Sequence, residues 1–338
     1  MTHPRLSRRT LLAVFAGGAA LSATGARAQA DAGGQVVLYT TLNSQSVSTA
    51  TDIARKKLPQ FRLSAVTGGS GQLLKRMEAE SSKPQGDVFW TSSANLMERY
   101  TSLFEPFESP EAAALPAALR DPRKLWVAAN LHVVAAMVNT RRLDGAAPRT
   151  WADLTDPRFK GKIIISDPGN SSTAFTALWG VEQVLGAEGL RKLAANTTVS
   201  SAASNVVRGI GQGEYAVGIT FESTAYPYIA GGQREIKLVY PADGTFSVAD
   251  NMALIKNAPN PVAAKRVYDF LLSKDVQTAL LENAFRRPSR SDIDVSQYVD
   301  MPPMSRIKIV PIDEAKAAAD RESFLARWQG HVNAARNG

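Results

Sequence analysis

Cysteine is absent from this sequence, and histidine occurs only three times in 338 residues. Without cysteine the chain has neither disulfides nor thiolate groups, so a packed core must supply its stability. Hydrophobic residues make up 44% of the chain, and that proportion over this length predicts about two globular domains.

Familiar catalytic motifs are also missing. There is no Gly-x-Ser-x-Gly elbow and no His-Glu-x-x-His pair, and residues 68–71 lack the lysine and the spacing of a P-loop. After the first 28 residues only His132 and His331 are available for a hydrolytic triad, and His132 lies in an apolar run. These absences disfavour an exported enzyme, which is the alternative from another functional class.

After the N-terminus, no hydrophobic run is long and apolar enough to span a membrane. Arg8 and Arg9 precede an apolar stretch over residues 11–21, and a small-residue cleavage site follows at residues 26–28. This pattern predicts a twin-arginine signal peptide over residues 1–28, because about twelve apolar residues are too few to cross a bilayer. Cleavage after Ala28 leaves 310 residues and predicts a soluble protein in the periplasm.

Clusters of basic residues, which nucleic-acid recognition requires, are lacking as well. Residues 1–28 hold four arginines and no acid, so the formal net charge of +8 falls to +4 after cleavage. The remaining surplus is scattered along the chain. We therefore expect no nucleic-acid partner, while a small positive surplus is compatible with an anionic solute.

The sequence does contain a regular alternation of short strands and helices. Apolar strands are predicted over residues 35–39, 61–66 and 86–90, and a small polar loop follows each of them. This alternation predicts an α/β fold, with a parallel sheet covered by helices on both faces. The loops at the carboxyl ends of the strands would then face a ligand crevice.

A long apolar strand over residues 131–138 is interpreted as the crossover into a second domain. We accordingly predict that lobe 1 comprises residues 29–130 and 246–338, with part of the tail free to return to lobe 2. Lobe 2 is predicted to comprise residues 131–245.

Residues 163–175 are the segment around which the second domain is organised. Three isoleucines predict a buried strand, and Asp-Pro-Gly at residues 167–169 ends it with a turn. A helix then begins at Ser171, Ser172 and Thr173, whose hydroxyls and neighbouring free N–H groups suit an anion. The alternative is an ordinary strand–helix loop with a good N-cap.

Residues 151–157 (WADLTDP) and 162–168 (KIIISDP) resemble a signature of the periplasmic solute-binding proteins of ABC importers. The group meant binds ferric iron, polyamines, sugar phosphates and aminoethylphosphonate. Residues 240–245 (YPADGT) and 260–265 (NPVAAK) are similar to the return segment of that family, and the match covers roughly residues 35–290.

The resemblance implies type II architecture, in which two doubly wound α/β lobes are joined by hinge strands. A solute is clamped in the cleft by domain closure and is passed to an inner-membrane ABC permease. We expect a monomer that requires no cofactor.

Among the ligands of that group, the residues favour a small phosphorylated or phosphonate solute, since hydroxyls, amides and helix N-termini can hold such an anion. Glu222 suits a hydroxyl or an amine on the same solute, whereas Asp87 and Asp167 are interpreted as turn and cap residues. The predicted solute-binding residues are Thr40, Thr41, Asn43, Gly69, Ser70, Ser92, Asn170, Ser171, Ser172, Thr173, Ser204, Asn205, Glu222 and Tyr226.

Ferric iron is the alternative ligand. Iron-binding relatives supply phenolates near the place where Tyr226 and Tyr228 stand, and residues i and i+2 of a strand share one side. Both tyrosines would then be able to reach one metal. However, residues 39–45 contain no His or Glu, which some iron binders place in this loop, so the anionic solute remains the first choice.

Overall fold

The computed structural model describes residues 34–337, so the predicted signal peptide over residues 1–28 lies outside the described residues. The strands are β1 Gly34–Thr40, β2 Phe61–Thr67, β3 Val88–Ser92, β4 Phe104–Glu105, β5 Val127–Asn139, β6 Ile163–Ser166, β7 Thr197–Ser200, β8 Val217–Phe221, β9 Ile236–Val239, β10 Ser247–Ile255 and β11 Arg287–Pro288. The α-helices are α1 Ser44–Lys57, α2 Ser70–Ala79, α3 Ala94–Glu98, α4 Ser172–Asn196, α5 Ala203–Gly211, α6 Glu222–Ala230, α7 Pro261–Leu272, α8 Lys274–Ala284, α9 Glu314–Ala319 and α10 Arg321–Asn337. None of these helices combines the length and the apolar character needed to cross a membrane.

The first half of the molecule, which we call lobe 1, is built on β1, β2 and β3. These strands are parallel neighbours, and β10 joins β3 in the antiparallel direction. Val36 and Leu38 of β1 pack with α1 and α7, whereas Tyr39 packs on the opposite face with α2 and α3. Burial on both faces explains why the strand is a continuous apolar run in the sequence.

The second half, lobe 2, is built on β6, β7 and β8, which are parallel to one another. Ile163 and Ile165 of β6 pack with α4 and α10, and Ile164 packs on the other face with α5. The predicted buried strand is therefore confirmed. Helix α4 packs closely on Phe246, the residue before β10: a Cβ on Gly180 would be 2.6 Å from the ring of Phe246.

Strand β5 joins the lobes, and we call β5 together with the adjacent β10 the hinge. Its residues 127–133 pair with β10, and its residues 134–138 pair with β8. The chain returns alongside, where the Val134 N–H donates to the Phe246 carbonyl at 2.9 Å. The predicted crossover strand is confirmed, and so is the predicted architecture of two α/β lobes with a cleft between them.

The C-terminal part of the chain contacts both lobes. Helices α7 and α8 pack on lobe 1, whereas α10 lies along α4 with Phe324, Trp328 and Val332 in the core of lobe 2. The residue boundaries of the lobes remain our proposal, with α10 assigned to lobe 2.

Candidate functional site

A cleft of about 790 Å³ lies between the two lobes. The carboxyl ends of β1, β2 and β3 form its lobe 1 wall, and α4 with the start of α6 forms its lobe 2 wall. Residues of β5 and β10 lie between these walls. The position follows from the strand order, because the carboxyl ends of parallel strands open on one edge of a sheet.

Five of the fourteen predicted solute-binding residues line this cleft: Thr41, Gly69, Ser70, Ser92 and Asn170. Ser70 is the first residue of α2, a helix of ten residues with Gly69 as its N-cap. The N–H groups of that first helical turn have no partner within the helix, so they can serve a bound anion together with the Ser70 hydroxyl.

The end of β3 combines backbone strain with an unpaired hydroxyl. Thr91 has φ of 128°, in a region that a β-branched residue rarely adopts, and the Thr41 hydroxyl donates to its carbonyl at 3.0 Å. The hydroxyl of the next residue, Ser92, is buried in the cleft wall without a hydrogen-bond partner in the described chain. Strain beside an unsatisfied polar group is typical of a functional site.

Most of the other predicted hydroxyl and amide residues serve local structure. The Asn43 side chain caps α1 by accepting from Ser46 N at 3.0 Å, and the Ser171 hydroxyl caps α4 by accepting from Ala174 N at 3.2 Å. Small polar residues satisfy nearby backbone groups as readily as they bind a solute, and a sequence pattern does not separate the two roles. Ser172 is the first residue of α4. The predicted residues that do not line the cleft include Thr40, Asn43, Ser171, Thr173, Ser204 and Asn205.

Glu222 differs from its predicted role. Its carboxylate is fully buried beside the hinge, where it accepts from Arg287 Nε at 2.6 Å and Nη2 at 2.8 Å, and from the Tyr240 hydroxyl at 2.6 Å. Burial and the charge of Glu222 raise the pKa of Tyr240, which keeps that hydroxyl a donor. The structure therefore assigns Glu222 to an ion pair that supports the fold and not to the wall of the cleft.

The two tyrosines also differ from the prediction. They lie in α6 and not in a strand, and residues two apart on a helix face nearly opposite sides. Tyr226 packs with Leu281 and Phe285, whereas Tyr228 packs on the core around Ile210. Neither lines the cleft, so the predicted pair of phenolates on one metal is wrong in this geometry.

A charged cluster at the hinge was not predicted from the sequence. His132 Nε2 on β5 lies 2.6 Å from Asp250 Oδ2 on β10 and 3.0 Å from Arg286 Nη1, and all three residues line the cleft. The His132 ring stacks on Phe221 of lobe 2 with centroids 4.4 Å apart. The available signal was a histidine within an otherwise apolar strand.

Burial alone would raise the pKa of Asp250, but the nearby charges of His132 and Arg286 and a hydrogen bond from Asn130 outweigh it, and the pKa is lowered. For Arg286 burial is the larger effect, and its pKa is lowered even though Asp250 acts in the opposite direction. The guanidinium charge of Arg286 is therefore only partly compensated by the protein.

Two further arginines and one acid complete the wall of the cleft. Arg99 follows α3 of lobe 1, and Arg321 begins α10, where it lies over the ring of Phe175 at 4.4 Å and donates to the Pro168 carbonyl at 3.2 Å. Burial lowers the pKa of Arg321. Glu314, the first residue of α9, also lines the cleft.

Asp167 has the expected role in a turn, whereas Asp87 is structural in another way, because it binds the backbone of the neighbouring strand β1. Asp87 accepts from the Val37 N–H at 2.8 Å, and Asp167 accepts from the Gly169 N–H at 2.8 Å. Across residues 34–337, no three His, Cys, Asp or Glu side chains lie close enough together to hold a metal ion.

Comparison with known proteins supplies a family. The profile of a family described as bacterial extracellular solute-binding protein matches residues 84–318. A putative 2-aminoethylphosphonate-binding periplasmic protein of Salmonella typhimurium is 26% identical over 245 residues, which are 68% of this chain and 70% of that protein.

Solved structures share the fold. The periplasmic binding protein AfuA from Actinobacillus pleuropneumoniae, with fructose-6-phosphate bound, is 25% identical with a TM-score of 0.73, and the match covers 89% of this chain and 99% of AfuA. Iron-bound HitA from Pseudomonas aeruginosa is 17% identical with a TM-score of 0.74, covering 88% of this chain and 99% of HitA.

Proposed function

The chain belongs to the bacterial extracellular solute-binding protein family, and from this premise we propose that its cleft captures a small phosphorylated or phosphonate solute. The protein acts as the solute-binding component of an ABC importer and works with a membrane permease. We further propose that it binds its solute without chemical turnover, as a monomer in the periplasm, after twin-arginine export and removal of residues 1–28.

The observation that carries this proposal is that the arginines in the cleft are incompletely paired with carboxylates. Arg99, Arg286 and Arg321 all line it. Among residues 34–337, the only carboxylate within 4.0 Å of any of these three is that of Asp250, which lies 3.9 Å from Arg286. Arg99 is exposed, whereas Arg286 and Arg321 are partly buried. Partly buried cations that are incompletely paired favour an anion, and the guanidinium group suits phosphate and phosphonate oxygens.

Neutral donors supplement the arginines. The hydroxyls of Ser70 and Ser92 and the amide of Asn170 line the same cleft, beside Thr41, whose hydroxyl proton is already donated to the Thr91 carbonyl. Donors of this kind surround an oxyanion without adding charge, and the start of α2 provides backbone N–H groups as well. A phosphoryl or phosphonyl group, with three oxygens to be satisfied, matches this set of donors better than a carboxylate does.

Two relatives support the choice of anion. The AfuA structure contains fructose-6-phosphate, and the Salmonella protein carries 2-aminoethylphosphonate in its name. Both ligands join a phosphorus oxyanion to a small organic part. A ferric site is less well supported, because the two tyrosines pack in different hydrophobic clusters. Tyr226 packs with Leu281, and Tyr228 packs with Ile210.

Thermal unfolding with fructose 6-phosphate, glycerol 3-phosphate, 2-aminoethylphosphonate and ferric citrate tests this proposal. A solute at about 100 times its Kd stabilises the folded state by about 2.7 kcal/mol, which is a clear shift in Tm. We expect a phosphoryl or phosphonyl compound to give it and Arg99→Gln to reduce it. Arg234→Gln, at an exposed turn, is the matched control and should leave the shift unchanged. Stabilisation by ferric citrate alone would favour an iron carrier.

Export is tested separately by replacing Arg8 and Arg9 with lysine. Twin-arginine export requires both arginines, so we expect the full-length precursor to stay in the cytoplasm. Cell fractionation followed by immunoblotting measures the result. Processed protein at the normal level in the periplasm would contradict the assignment.

A further inference from the structure

A short segment that leads into the last helix forms a bridge over the cleft. We call residues 312–321 the C-terminal bridge; it contains α9. On one side it is anchored in lobe 2, where Ala317 is buried in the core and Arg321 donates to the Pro168 carbonyl. On the other side α9 packs against α3 of lobe 1.

Glu314 makes the contact with lobe 1. Its Oε2 accepts from the Asn95 N–H at 3.2 Å, and the side chain lines the cleft. No basic side chain within residues 34–337 forms an ion pair with it, although Arg99 and Arg321 line the same cleft. One carboxylate oxygen is therefore committed to the backbone of lobe 1, and the other has no hydrogen-bond partner in the described chain.

The electrostatic setting of Glu314 is the reverse of that of the arginines. Burial raises its pKa, and the Asn95 N–H is the one described group that acts in the opposite direction. An ionised carboxylate without a nearby cation is stabilised by any cationic or hydroxyl donor that enters the cleft. A second anionic group at the same place would instead be repelled, because it would lose its hydration beside a group of the same charge.

We propose that Glu314 sets the specificity of the cleft: its carboxylate accepts a hydrogen bond from an ammonium or hydroxyl group at the end of the solute opposite the phosphoryl or phosphonyl group, and it rejects solutes that carry a second anionic group there. This inference rests on the proposed function, since it requires that the first end be held as an anion. It adds a second charged residue of the C-terminal bridge, beside Arg321, to a site otherwise built from the two lobes and the hinge.

Three phosphonates of similar size test this role: 2-aminoethylphosphonate, 2-hydroxyethylphosphonate and phosphonoacetate. They share the phosphonyl group and differ in the other end, which is an ammonium, a hydroxyl and a carboxylate. Calorimetric titration of each against the full-length mature protein, Glu314→Gln and Asp313→Asn gives nine affinities. The glutamine retains an oxygen for the Asn95 N–H. Asp313→Asn removes an equal charge from the neighbouring residue, and asparagine still caps α9.

In the unaltered protein we expect the ammonium and hydroxyl compounds to bind at least about tenfold more tightly than phosphonoacetate, which corresponds to one charge-assisted hydrogen bond. Glu314→Gln should reduce this ratio about tenfold, in part by improving the binding of phosphonoacetate, and Asp313→Asn should leave the ratio within about twofold.

Two results would overturn the inference while leaving the proposed function intact: an unchanged ratio in Glu314→Gln, or an equal loss of affinity for all three compounds, which would mean that Glu314 only holds the lobes together. Absence of binding for all three phosphonates and for glycerol 3-phosphate would overturn the proposed function, and this inference with it.

Discussion

Arg286 and Arg287 are neighbours in the sequence, yet their side chains lie in two different kinds of environment. Arg287 is 1% exposed, and its guanidinium donates to both oxygens of Glu222 and to the Pro302 carbonyl at 3.0 Å. Arg286 is 14% exposed and lines the cleft, and its nearest carboxylate oxygen, on Asp250, is 3.9 Å away.

The pKa shifts follow the same division. Burial alone would lower the pKa of Arg287, but the hydrogen bonds and the charge of Glu222 outweigh it, and the pKa is raised. For Arg286 the effect of burial prevails, and the pKa is lowered. A charge that the fold has satisfied is committed to its partner, whereas a charge that the fold has left partly unsatisfied is available to a solute.

The hydrogen bonding of His132 shows why Arg286 is unsatisfied. His132 Nε2 lies 2.6 Å from Asp250 Oδ2 and 3.0 Å from Arg286 Nη1. One ring nitrogen either donates or accepts, so it cannot serve a carboxylate and a guanidinium at once. The shorter distance favours donation to Asp250, and Arg286 then requires an acceptor from elsewhere. An oxygen of the solute meets that requirement.

The largest expected effect comes from breaking the satisfied pair. Arg287→Met leaves Glu222 as an uncompensated buried charge, and we expect the free energy of unfolding to fall by about 3–5 kcal/mol. Urea unfolding measures it. The double variant Arg287→Met with Glu222→Leu removes both charges and should recover most of the loss. A single variant as stable as the unaltered protein would show that the pair is not the structural contact inferred here.

The same substitution one residue earlier should have the opposite profile. Arg286→Met removes a cation that the solute uses, so we expect affinity for the phosphoryl or phosphonyl solute to fall about ten- to a hundredfold, or 1.5–3 kcal/mol. Stability should change by less than about 1 kcal/mol, because no complete ion pair is broken. Calorimetric titration beside a urea curve separates the two quantities. If Arg286→Met loses stability and retains affinity, the distinction between the two arginines fails.

Acid dependence of stability distinguishes two carboxylates of the cleft. The folded pKa of Asp250 is lowered, so its contribution to stability is complete above its unfolded pKa of about 3.9 and is lost as the pH falls through the folded value. The folded pKa of Glu314 is raised above 4.5, so ionisation of this group subtracts stability as the pH rises through that region.

Asp250→Asn should therefore be most destabilised, relative to the unaltered protein, near neutral pH, and the difference should shrink in acid. Glu314→Gln should gain relative stability as the pH rises above about 4.5. Urea unfolding of the three proteins at several pH values from about 3 to about 7 provides the comparison. Parallel curves for the two variants would show that the two carboxylates do not differ in this way.

The sequence was sufficient for features that depend on local pattern. Apolar runs such as residues 163–165 identified strands buried on both faces. Thr41, Ser70 and Ser92, from the polar loops at strand ends, line the cleft. These outcomes require only the two-residue period of a strand and the rule that carboxyl ends of parallel strands face the crevice.

The charged part of the site depends on distant pairings and was not predicted. His132, Asp250, Arg286 and Arg321 come from four separate segments that the fold brings to one cleft. Whether a charge is used by the fold or left for a solute depends on its partner: Glu222 is paired with a residue 65 positions away. The helix around Tyr226 was also missed: Tyr226 and Tyr228 were predicted in strand geometry, but both lie in α6, which contains Pro227.

The smallest expected effect repeats the contrast of the arginines with two hydroxyls. Ser171 is satisfied, since it caps α4 by accepting from Ala174 N at 3.2 Å, whereas the buried hydroxyl of Ser92 has no partner in the described chain. Ser171→Ala should cost about 1 kcal/mol of stability and leave affinity nearly unchanged.

Ser92→Ala should change stability little, because it removes a buried polar group that makes no hydrogen bond, and it should weaken solute binding by about 0.5–1.5 kcal/mol, or two- to tenfold. Titration calorimetry and urea unfolding of both variants, with the same phosphoryl or phosphonyl solute, provide the four numbers. If the two alanine variants exchange these profiles, Ser171 contacts the solute after all and the predicted anion site at the start of α4 is the correct one. If both lose only stability, neither hydroxyl contacts the solute, and the recognition of the anion rests on the arginines.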